Sequence, residues 1–359
     1  MKKYNVGVVG ATGMVGQRFL ALLENHPWFN VSALAASGRS AGKGYAAAIE
    51  GRWAISSPLP GKFAEMIVLD AEKDAEKIAG MADFILCAVD MPKQETALLE
   101  EKYAKLNLPV VSNNSANRNT PDVPMLFPEI NPEHTEVIAA QRARLGVKRG
   151  FIAVKSNCSL QSYLPALTPL REFGIKEVLA CTYQAISGAG KTFESWPEMV
   201  DNVIPFIGGE EEKSEKEPLK IWGEVRDGRI VNATLPIITT QCLRVPVSDG
   251  HMAAVFAKFD TPPDVETAKR LIREFSGQPQ KLGLPTAPRQ FIHLFEEENR
   301  PQTKLDRELE NGMAISVGRL RTDHVYHLKF VCLSHNTLRG AAGGALLSAE
   351  LLAAKGFFD

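Results

Sequence analysis

The beginning of the chain constrains the fold most, because an apolar strand, a glycine-rich turn and a helical stretch follow one another directly. Residues 6–9 read Val-Gly-Val-Val, residues 10–16 read Gly-Ala-Thr-Gly-Met-Val-Gly, and a helical pattern continues to Glu24. Glycines in such a turn let the backbone approach a pyrophosphate group, which rests on the N-terminus of the helix. The spacing departs from Gly-x-Gly-x-x-Gly, and a purely structural turn is the alternative, but the flanking strand and helix favour dinucleotide binding. The residues expected at the cofactor are Gly10, Thr12, Gly13, Met14 and Val15.

The first half of the chain predicts an α/β fold. Further apolar strands are predicted at 31–36, 82–89 and 109–112, with helical stretches between them such as 94–104. Strands that alternate with helices favour a doubly wound parallel sheet of the Rossmann type, with helices on both faces.

The second half of the chain has a different pattern of predicted strands and helices. Its predicted strands are longer and are separated by long loops and few helices; they span 177–184, 228–234, 252–259, 313–320 and 325–332. This pattern predicts a second domain of the α+β class. The tail from 336 to 355 is rich in alanine, leucine and glycine and is helix-like.

The end of the second predicted strand favours NADP over NAD. An NAD site usually carries an Asp or Glu there, which binds the ribose 2′-hydroxyl. Residues 37–43 read Ser-Gly-Arg-Ser-Ala-Gly-Lys and contain no acid. Hydroxyl and basic side chains suit a 2′-phosphate, so Ser37, Arg39 and Ser40 are expected to bind it. The alternative is a solvated loop with incidental basic residues.

A cysteine, Cys158, lies at the predicted N-terminus of a helix that follows a predicted strand. Lys-Ser-Asn-Cys-Ser at 155–159 lies between an apolar run at 151–154 and a helix-like run at 160–170. A helix N-terminus presents unpaired N–H groups and the positive end of a dipole, which favour a thiolate. We therefore predict that Cys158 is a nucleophile, although most cysteines are buried packing residues.

Other segments carry the groups that thioester chemistry beside a nicotinamide would need. Arg244 could bind a carboxylate through two parallel bonds, and His251 has the ordinary pKa range of a general acid or base. Glu210 and Lys213 lie three residues apart, so a helix would present them together, although composition alone favours a solvated helix face. Arg118 follows a predicted strand, where open α/β sheets bind ligands. The flexible turn Ser-Gly-Ala-Gly-Lys at 187–191 could face a cofactor.

Composition excludes several classes of protein. The 359 residues carry a net charge of −1, which argues against a nucleic-acid partner. Five cysteines without a Cys-x-x-Cys pair fit neither a disulfide framework nor a zinc site, so no metal is expected. No secretory signal precedes the first strand, and no apolar run approaches about 18 residues. We expect a cytoplasmic protein without a membrane anchor.

These motifs together resemble the archaeal and fungal branch of the aspartate-semialdehyde dehydrogenase family, over nearly the whole chain. The cysteine motif and the seven-residue step from Arg244 to His251 are the specific parts of the resemblance. Further shared segments are Gly-Ala-Thr-Gly-Met-Val-Gly at 10–16, Ser-Asn-Asn-Ser-Ala-Asn-Arg at 112–118, Gln-Ala-Ile-Ser-Gly-Ala-Gly at 184–190, Glu-Glu-Glu-Lys at 210–213 and Asn-Thr-Leu-Arg-Gly-Ala at 336–341.

The resemblance implies an activity and a role for each candidate residue. The family converts L-aspartyl 4-phosphate and NADPH into aspartate 4-semialdehyde, NADP and phosphate, in the biosynthesis of lysine, threonine and methionine. The implied roles are Cys158 as thioester nucleophile, His251 as acid/base, Asn157 and Gln184 as positioning groups, Arg244 on the α-carboxylate, Glu210 on the α-amine, Arg118 and Lys213 on the phosphate, and Ser187, Gly188, Gly190 and Asn336 on NADP.

The resemblance also implies an organisation. The tail would return to the first domain, which gives a cofactor domain of residues 1–157 with 336–359. Residues 158–335 would form a catalytic and dimerisation domain of the glyceraldehyde-3-phosphate dehydrogenase-like kind. A homodimer or homotetramer is expected.

Three alternative functions stay open at this point. Malonyl-CoA reductase resembles the same branch but lacks the Ser-Asn-Cys-Ser and Glu-Glu-Glu-Lys patterns. Glyceraldehyde-3-phosphate and acetylglutamyl-phosphate reductase types share the chemistry, but the charged groups here fit an amino-acid substrate better. A catalytically silent NADP-binding regulator would not need an intact Cys158 and His251.

Overall fold

The computed structural model describes residues 2–55 and 57–359. Its first sheet has seven strands, all parallel to their neighbours. They are β1 (Tyr4–Val9), β2 (Phe29–Ala36), β3 (Val68–Asp70), β4 (Phe84–Cys87), β5 (Val110–Ser112), β6 (Met125–Leu126) and β7 (Ile152–Lys155).

The order of these strands defines a doubly wound sheet. Across the sheet they run β3-β2-β1-β4-β5-β7-β6. The order reverses between β1 and β4, and ligands of open α/β sheets bind at such a switch point, beyond the carboxyl ends of the strands. The predicted Rossmann-type fold is confirmed.

A second sheet of six strands forms the predicted α+β part. It runs β11-β8-β12-β15-β14-β13, with antiparallel pairs in the middle and a parallel pair at each edge. A separate hairpin joins β9 and β10. The strands are β8 (Ile175–Gln184), β9 (Glu224–Arg226), β10 (Arg229–Val231), β11 (Ile237–Arg244), β12 (His251–Phe259), β13 (Ile292–Leu294), β14 (Ile315–Thr322) and β15 (Leu328–Ser334).

The helices cover the first sheet and one face of the second. The longer ones are α1, α5, α8, α9 and α13. In chain order they are α1 (Met14–Leu23), α2 (Tyr45–Ala48), α3 (Gly61–Ala64), α4 (Ala75–Met81), α5 (Lys93–Lys105), α6 (Ile138–Leu145), α7 (Leu160–Leu167), α8 (Glu210–Ile221), α9 (Val265–Glu274), α10 (Gln278–Leu282), α11 (Thr303–Asp306), α12 (Leu309–Gly312) and α13 (Gly343–Ala354). Within the described ranges, none has the length and apolar character to cross a membrane.

Two predicted elements are wrong in detail. The strand expected over 228–234 is only three residues long, β10; it pairs with β9 across a turn at Asp227 and Gly228, which both have positive φ, and residues 232–236 lie in no strand. The helix expected over 160–170 ends at Leu167 and continues as a 3₁₀ segment, Thr168–Phe173. Pro165 and Pro169 lack an N–H for the helical ladder, which accounts for the change.

The C-terminal tail packs on the first sheet. A π-helical turn, Leu338–Ala342, runs into α13, whose apolar side chains join the core cluster formed by β1, β2 and α1. α13 also contacts β5 and β7. The tail therefore brings the segment that begins at Asn336 back to the carboxyl ends of the first sheet.

Candidate active site

The glycine-rich turn after β1 has a shape that only glycine allows. Gly10 has a φ of +90°, and a Cβ there would lie 2.2 Å from the carbonyl oxygen of Ala88. A Cβ at Gly16 would lie 2.2 Å from the carbonyl oxygen of Gly10. Gly13 begins α1 without a side-chain cap, so the first-turn N–H groups stay open. The turn thus has the open N–H groups and the close backbone approach that are typical of a pyrophosphate site.

A cleft of about 620 Å³ opens over this turn and the end of β2. Six predicted cofactor residues line it: Gly10, Thr12, Gly13, Ser37, Arg39 and Ser40. The segment directly after β2 contains no acid, but Asp70 at the end of β3 lies in the same cleft. A Cβ at Gly38 would lie 3.0 Å from a carboxylate oxygen of Asp70. This acid was missed because it comes from a neighbouring strand.

Gln17, one turn into α1, is a second residue that the sequence analysis missed. Its amide donates to the carbonyl oxygens of Thr12 and Arg52, at 3.2 and 2.9 Å, and accepts from the N–H of Ala54 at 2.7 Å. It is buried and therefore fixes the glycine-rich turn against the segment that follows α2.

Cys158 lies between β7 and α7, at the mouth of the helix. It lines a second cleft, of about 330 Å³, together with Met14 and Val15 from the first turn of α1. The same cleft holds other predicted residues: Arg118, Asn157, Ser187, Gly188, Gly190, Lys213 and Asn336. The first turn of α1 and the thiol therefore border one cleft.

The expected thiolate is the one feature of Cys158 that is wrong. Burial raises the pKa of the thiol to about 11, and the carboxylate of Glu210 adds to this effect. The charges of Lys155, Arg118 and Arg244 act in the opposite direction but are smaller. The helix N-terminus thus does not outweigh desolvation, and the resting group is a thiol.

Asn157 connects the cysteine turn to the start of α8. Its side-chain amide donates to both carboxylate oxygens of Glu210, each at 3.0 Å, and its Oδ1 accepts from the N–H and hydroxyl of Ser159. Gln184, at the end of β8, also donates to Glu210, at 3.3 Å. Lys213 Nζ lies 2.8 Å from Glu210, as their spacing predicts. Burial would raise the pKa of Glu210, but the charge of Lys213 and the hydrogen bonds from Lys213, Asn157 and Gln184 outweigh it, so the pKa is lowered.

Glu217, one further turn along α8, is the most important residue that the sequence analysis missed. One carboxylate oxygen accepts the backbone N–H of Asn157 at 2.6 Å, and the other accepts Arg118 Nη1 at 2.9 Å. Glu210, Ser214, Glu217 and Ile221 form one buried face, while Glu212 and Lys216 are exposed. The solvated-face alternative is therefore wrong for half of the helix. The three- and four-residue spacing of these positions was the available signal.

His251 and Arg244 meet beside the flexible turn after β8. A Cβ at Gly188 would lie 2.7 Å from Arg244 Nη1 and 3.0 Å from His251 Nε2, so both side chains pack closely on this glycine. Arg244 also donates to the carbonyl oxygen of Ala185 at 2.7 Å. Both side chains are buried: Arg244 is 6% exposed and His251 is 0% exposed.

The hydrogen bonds of His251 define which ring nitrogen holds the proton. The N–H of Ala185 donates to Nδ1 at 3.1 Å. Because a backbone amide always carries its proton, Nδ1 accepts, and the neutral ring is protonated at Nε2. Nε2 itself has no partner among the described residues. Burial and, next, the charge of Arg244 lower the pKa of His251 to about 3, so the expectation of titration near neutrality is wrong.

Asn336 links the tail to both halves of this site. Its carbonyl accepts the N–H of Gly250 at 2.8 Å, and its amide donates to the hydroxyl of Ser187 at 2.9 Å. The tail thereby fixes the residue before His251 and the turn that lines the cleft of Cys158. Within residues 2–55 and 57–359, no group of three or more His, Cys, Asp or Glu side chains is arranged to hold a metal ion.

Comparison with known proteins gives one consistent family. Residues 5–138 match the model of the semialdehyde dehydrogenase NAD-binding domain, and residues 167–339 match that of the semialdehyde dehydrogenase dimerisation domain. The aspartate-semialdehyde dehydrogenase of Methanothermobacter thermautotrophicus is 42% identical, with 97% of this chain and 98% of that protein covered. The enzyme of Schizosaccharomyces pombe is 40% identical, with 98% of each covered.

A solved structure agrees with these relatives. The aspartate-semialdehyde dehydrogenase of Candida albicans, solved with NADP, superimposes with a TM-score of 0.89 at 38% identity, covering 99% of this chain and 100% of that one. The family expected from the motifs is confirmed, and with it an oxidoreductase. The chain belongs to the aspartate-semialdehyde dehydrogenase family.

Proposed function

We propose that this chain reduces L-aspartyl 4-phosphate to L-aspartate 4-semialdehyde with NADPH, through a thioester on Cys158. One observation carries the proposal: Cys158 and the first turn of the dinucleotide helix line the same cleft. The Asn157–Glu210–Lys213 cluster borders the thiol and offers both charges that an amino acid phosphate requires. Malonyl-CoA carries no α-amine for Glu210 to bind.

The cofactor proposed for the first cleft is NADP. When bound, it supplies or accepts the hydride. The glycine-rich turn and α1 would hold its pyrophosphate, and Arg39 and Ser40 would hold the 2′-phosphate. Ser187 and Asn336 would support the turn on the nicotinamide side. The Candida relative solved with NADP supports this assignment.

The first chemical step belongs to Cys158. Its sulfur attacks the acyl carbon of aspartyl phosphate, the carbon–oxygen bond to phosphate breaks, and the thiol proton leaves with the phosphate. Arg118 Nε has no partner among the described residues and could donate to a phosphate oxygen, with Lys213 on the same cleft. Arg244 would bind the α-carboxylate and Glu210 the α-amine, which fixes the acyl carbon against the sulfur.

His251 is proposed as a hydrogen-bond donor rather than as the base that activates Cys158. Nε2 already carries the proton of the neutral ring, because Nδ1 is occupied by the Ala185 N–H. A donor at that position can stabilise negative charge on the thioester oxygen and can give its proton to the departing sulfur. Gln184 and Asn157 support the same carboxylate, Glu210, and so keep the amine site in place.

The deciding assay compares two substrates with one preparation. We expect phosphate-dependent reduction of NADP in the presence of aspartate semialdehyde, and no NADPH oxidation with malonyl-CoA. Activity with malonyl-CoA alone would favour the reductase alternative. Binding of NADP without turnover of either substrate would favour a silent regulator.

We also propose a homodimer formed through the six-stranded sheet. The match to a dimerisation domain and a run of exposed apolar side chains support a second copy as the occupant. Phe206, Leu235 and Ile237 are 67%, 51% and 67% exposed beside the edge strand β11. F206E combined with I237E should yield a monomer in sedimentation velocity. Wild-type protein that sediments as a monomer would contradict the proposal.

The domain division and the cellular setting follow as proposals. The packing of α13 on β5 and β7 supports residues 1–157 with 336–359 as the cofactor domain, and residues 158–335 as the catalytic one. All five cysteines are free thiols, which supports a reducing, cytoplasmic setting.

A further inference from the structure

Lys220 is a buried cation that binds an irregular part of the chain. It lies on α8, three residues after Glu217, and is only 4% exposed. Its Nζ donates to three backbone carbonyl oxygens: those of Arg118 at 2.7 Å, Thr120 at 2.7 Å and Val123 at 2.9 Å. An ammonium group has three N–H donors, so all of them are used.

The three carbonyls belong to the segment between β5 and β6. Residues 113–124 form neither helix nor strand, so their backbone groups need partners elsewhere. The carbonyl of Thr120 also accepts the N–H of Val123 at 3.1 Å. Among the described residues, Lys220 is the only hydrogen-bond partner of the Arg118 and Val123 carbonyls. Both residues are buried, so loss of the ammonium would leave these carbonyls unpaired and favour a rearrangement of the segment.

The ammonium of Lys220 is stabilised by these carbonyls rather than by a counter-ion of its own. The carboxylates whose charges act on it belong to Asp122 and Glu217, and each of them pairs with an arginine, Arg144 and Arg118 respectively. Burial lowers the pKa of Lys220 to about 8, so the group still carries its charge at neutral pH. Burying a charge is costly, and three charge-assisted hydrogen bonds offset that cost.

Helix α8 therefore binds Arg118 at both ends of the residue. Nη1 of the guanidinium donates to Glu217 at 2.9 Å, and the backbone carbonyl accepts from Lys220. Glu217 and Lys220 lie three apart and so share one face of the helix. Nε of Arg118 has no partner within the described part of the chain and stays free for a ligand.

The two cations that border the cleft of Cys158 thus depend on one helix. Lys213 is part of α8, and Arg118 is bound to it. Both line the cleft, whereas Lys220 is not among the described residues that line it. We propose that Lys220 is a positioning residue, which fixes the backbone of Arg118 relative to Lys213 so that both cations can bind one phosphate group. The inference rests on the proposed function only in assigning Arg118 and Lys213 to the phosphate.

The test is the Kd of inorganic phosphate, measured by calorimetry on the NADP-saturated protein, which needs no turnover. In K220M, which removes the ammonium but keeps most of the side chain, the Kd of phosphate should rise about 10-fold, because Arg118 is displaced. The Kd of NADP should change less than about twofold. A merely structural lysine would weaken both ligands together or neither, and either result would overturn the proposal.

A double-mutant cycle tests whether the effect is transmitted by Arg118. R118M alone should weaken phosphate binding, and K220M added to it should change the Kd by less than about twofold. If R118M or the wild type shows no such dependence on phosphate, the proposed role of Arg118 fails. Weak phosphate binding in R118M with wild-type binding in K220M would overturn the positioning role alone.

The matched control is K216M, on the same helix. Lys216 pairs with Glu212 in solvent, and its side chain is 69% exposed, so the variant removes the same charge without contacting residues 113–124. Its Kd for phosphate should match that of wild type, and a rise as large as in K220M would overturn the proposal. If K220M fails to fold, K220Q replaces it, because an amide can still donate two hydrogen bonds. Its Kd for phosphate should also rise, and an unchanged value would overturn the proposal.

Discussion

Replacing Glu217 by glutamine should lower the stability of the fold and weaken phosphate binding, because one of its two acceptor oxygens becomes an NH₂ group. Both carboxylate oxygens accept hydrogen bonds, one from the backbone of Asn157 and one from Arg118. Glutamine has one oxygen and one NH₂ group, so one of the two donors must face another donor. The buried guanidinium also loses its counter-charge. Breaking such a buried pair costs about 3–5 kcal/mol.

This cost can be expressed as a shift in melting temperature. With an unfolding entropy of about 2.1 cal/mol/K per residue, E217Q in a chain of 359 residues should melt about 4–7 °C lower. Because Arg118 would no longer be fixed, the KM for phosphate should also rise in the NADP-reducing direction. Both quantities are measured on one preparation, by calorimetry and by initial rates.

The matched control is E212Q on the same helix. Glu212 pairs with Lys216 in solvent, with both side chains 69% exposed, so its loss should change stability by less than about 0.5 kcal/mol. If E217Q melted within about 1 °C of wild type with an unchanged KM, Glu217 would not hold the cysteine turn and Arg118 together.

Four further variants test the remaining assignments. C158S should bind NADP but lose nearly all turnover; more than about a tenth of the wild-type kcat would rule out the covalent route. R39D should weaken NADP binding by about 2–3 kcal/mol, and equal affinity of the wild type for NADP and NAD would refute the cofactor assignment. R244K should lower kcat/KM about 100-fold with little change in Tm, since lysine cannot form two parallel bonds; loss explained by unfolding would make Arg244 structural. Because the pKa of His251 is about 3 in the fold against the ordinary 6.5, its contribution to stability is present above pH 6.5 and is lost as the pH falls toward 3. H251N should therefore flatten the decline of Tm in that range, and an unchanged slope would contradict the assigned pKa.

The sequence predicts best where one local rule decides the structure. The turn at Gly10 needs a positive φ and a close approach to Ala88, and only glycine meets both demands. The alternation of strands and helices likewise determines the doubly wound sheet. Glu210 and Lys213 pair because they lie three apart on a helix.

Prediction from sequence fails where distant segments meet. Asp70 enters the cofactor cleft from the neighbouring strand, and Glu217 reaches Arg118 over 99 positions. The pKa of the Cys158 thiol is a second example, because it depends on burial against the π-helical turn at Leu338–Ala342, which lies far away in the sequence. No local pattern contains that information. The short strand β10 shows a smaller failure, since it pairs with β9 across the turn at Asp227 and Gly228 and ends at Val231.

The thioester on Cys158 is tested most directly by mass spectrometry of the enzyme mixed with L-aspartyl 4-phosphate in the absence of NADPH. We expect stoichiometric release of phosphate and the mass of an aspartyl group on the peptide that contains Cys158. Subsequent addition of NADPH should remove the adduct as aspartate semialdehyde. Phosphate release without an adduct, or an adduct on any other residue, would contradict the proposed mechanism.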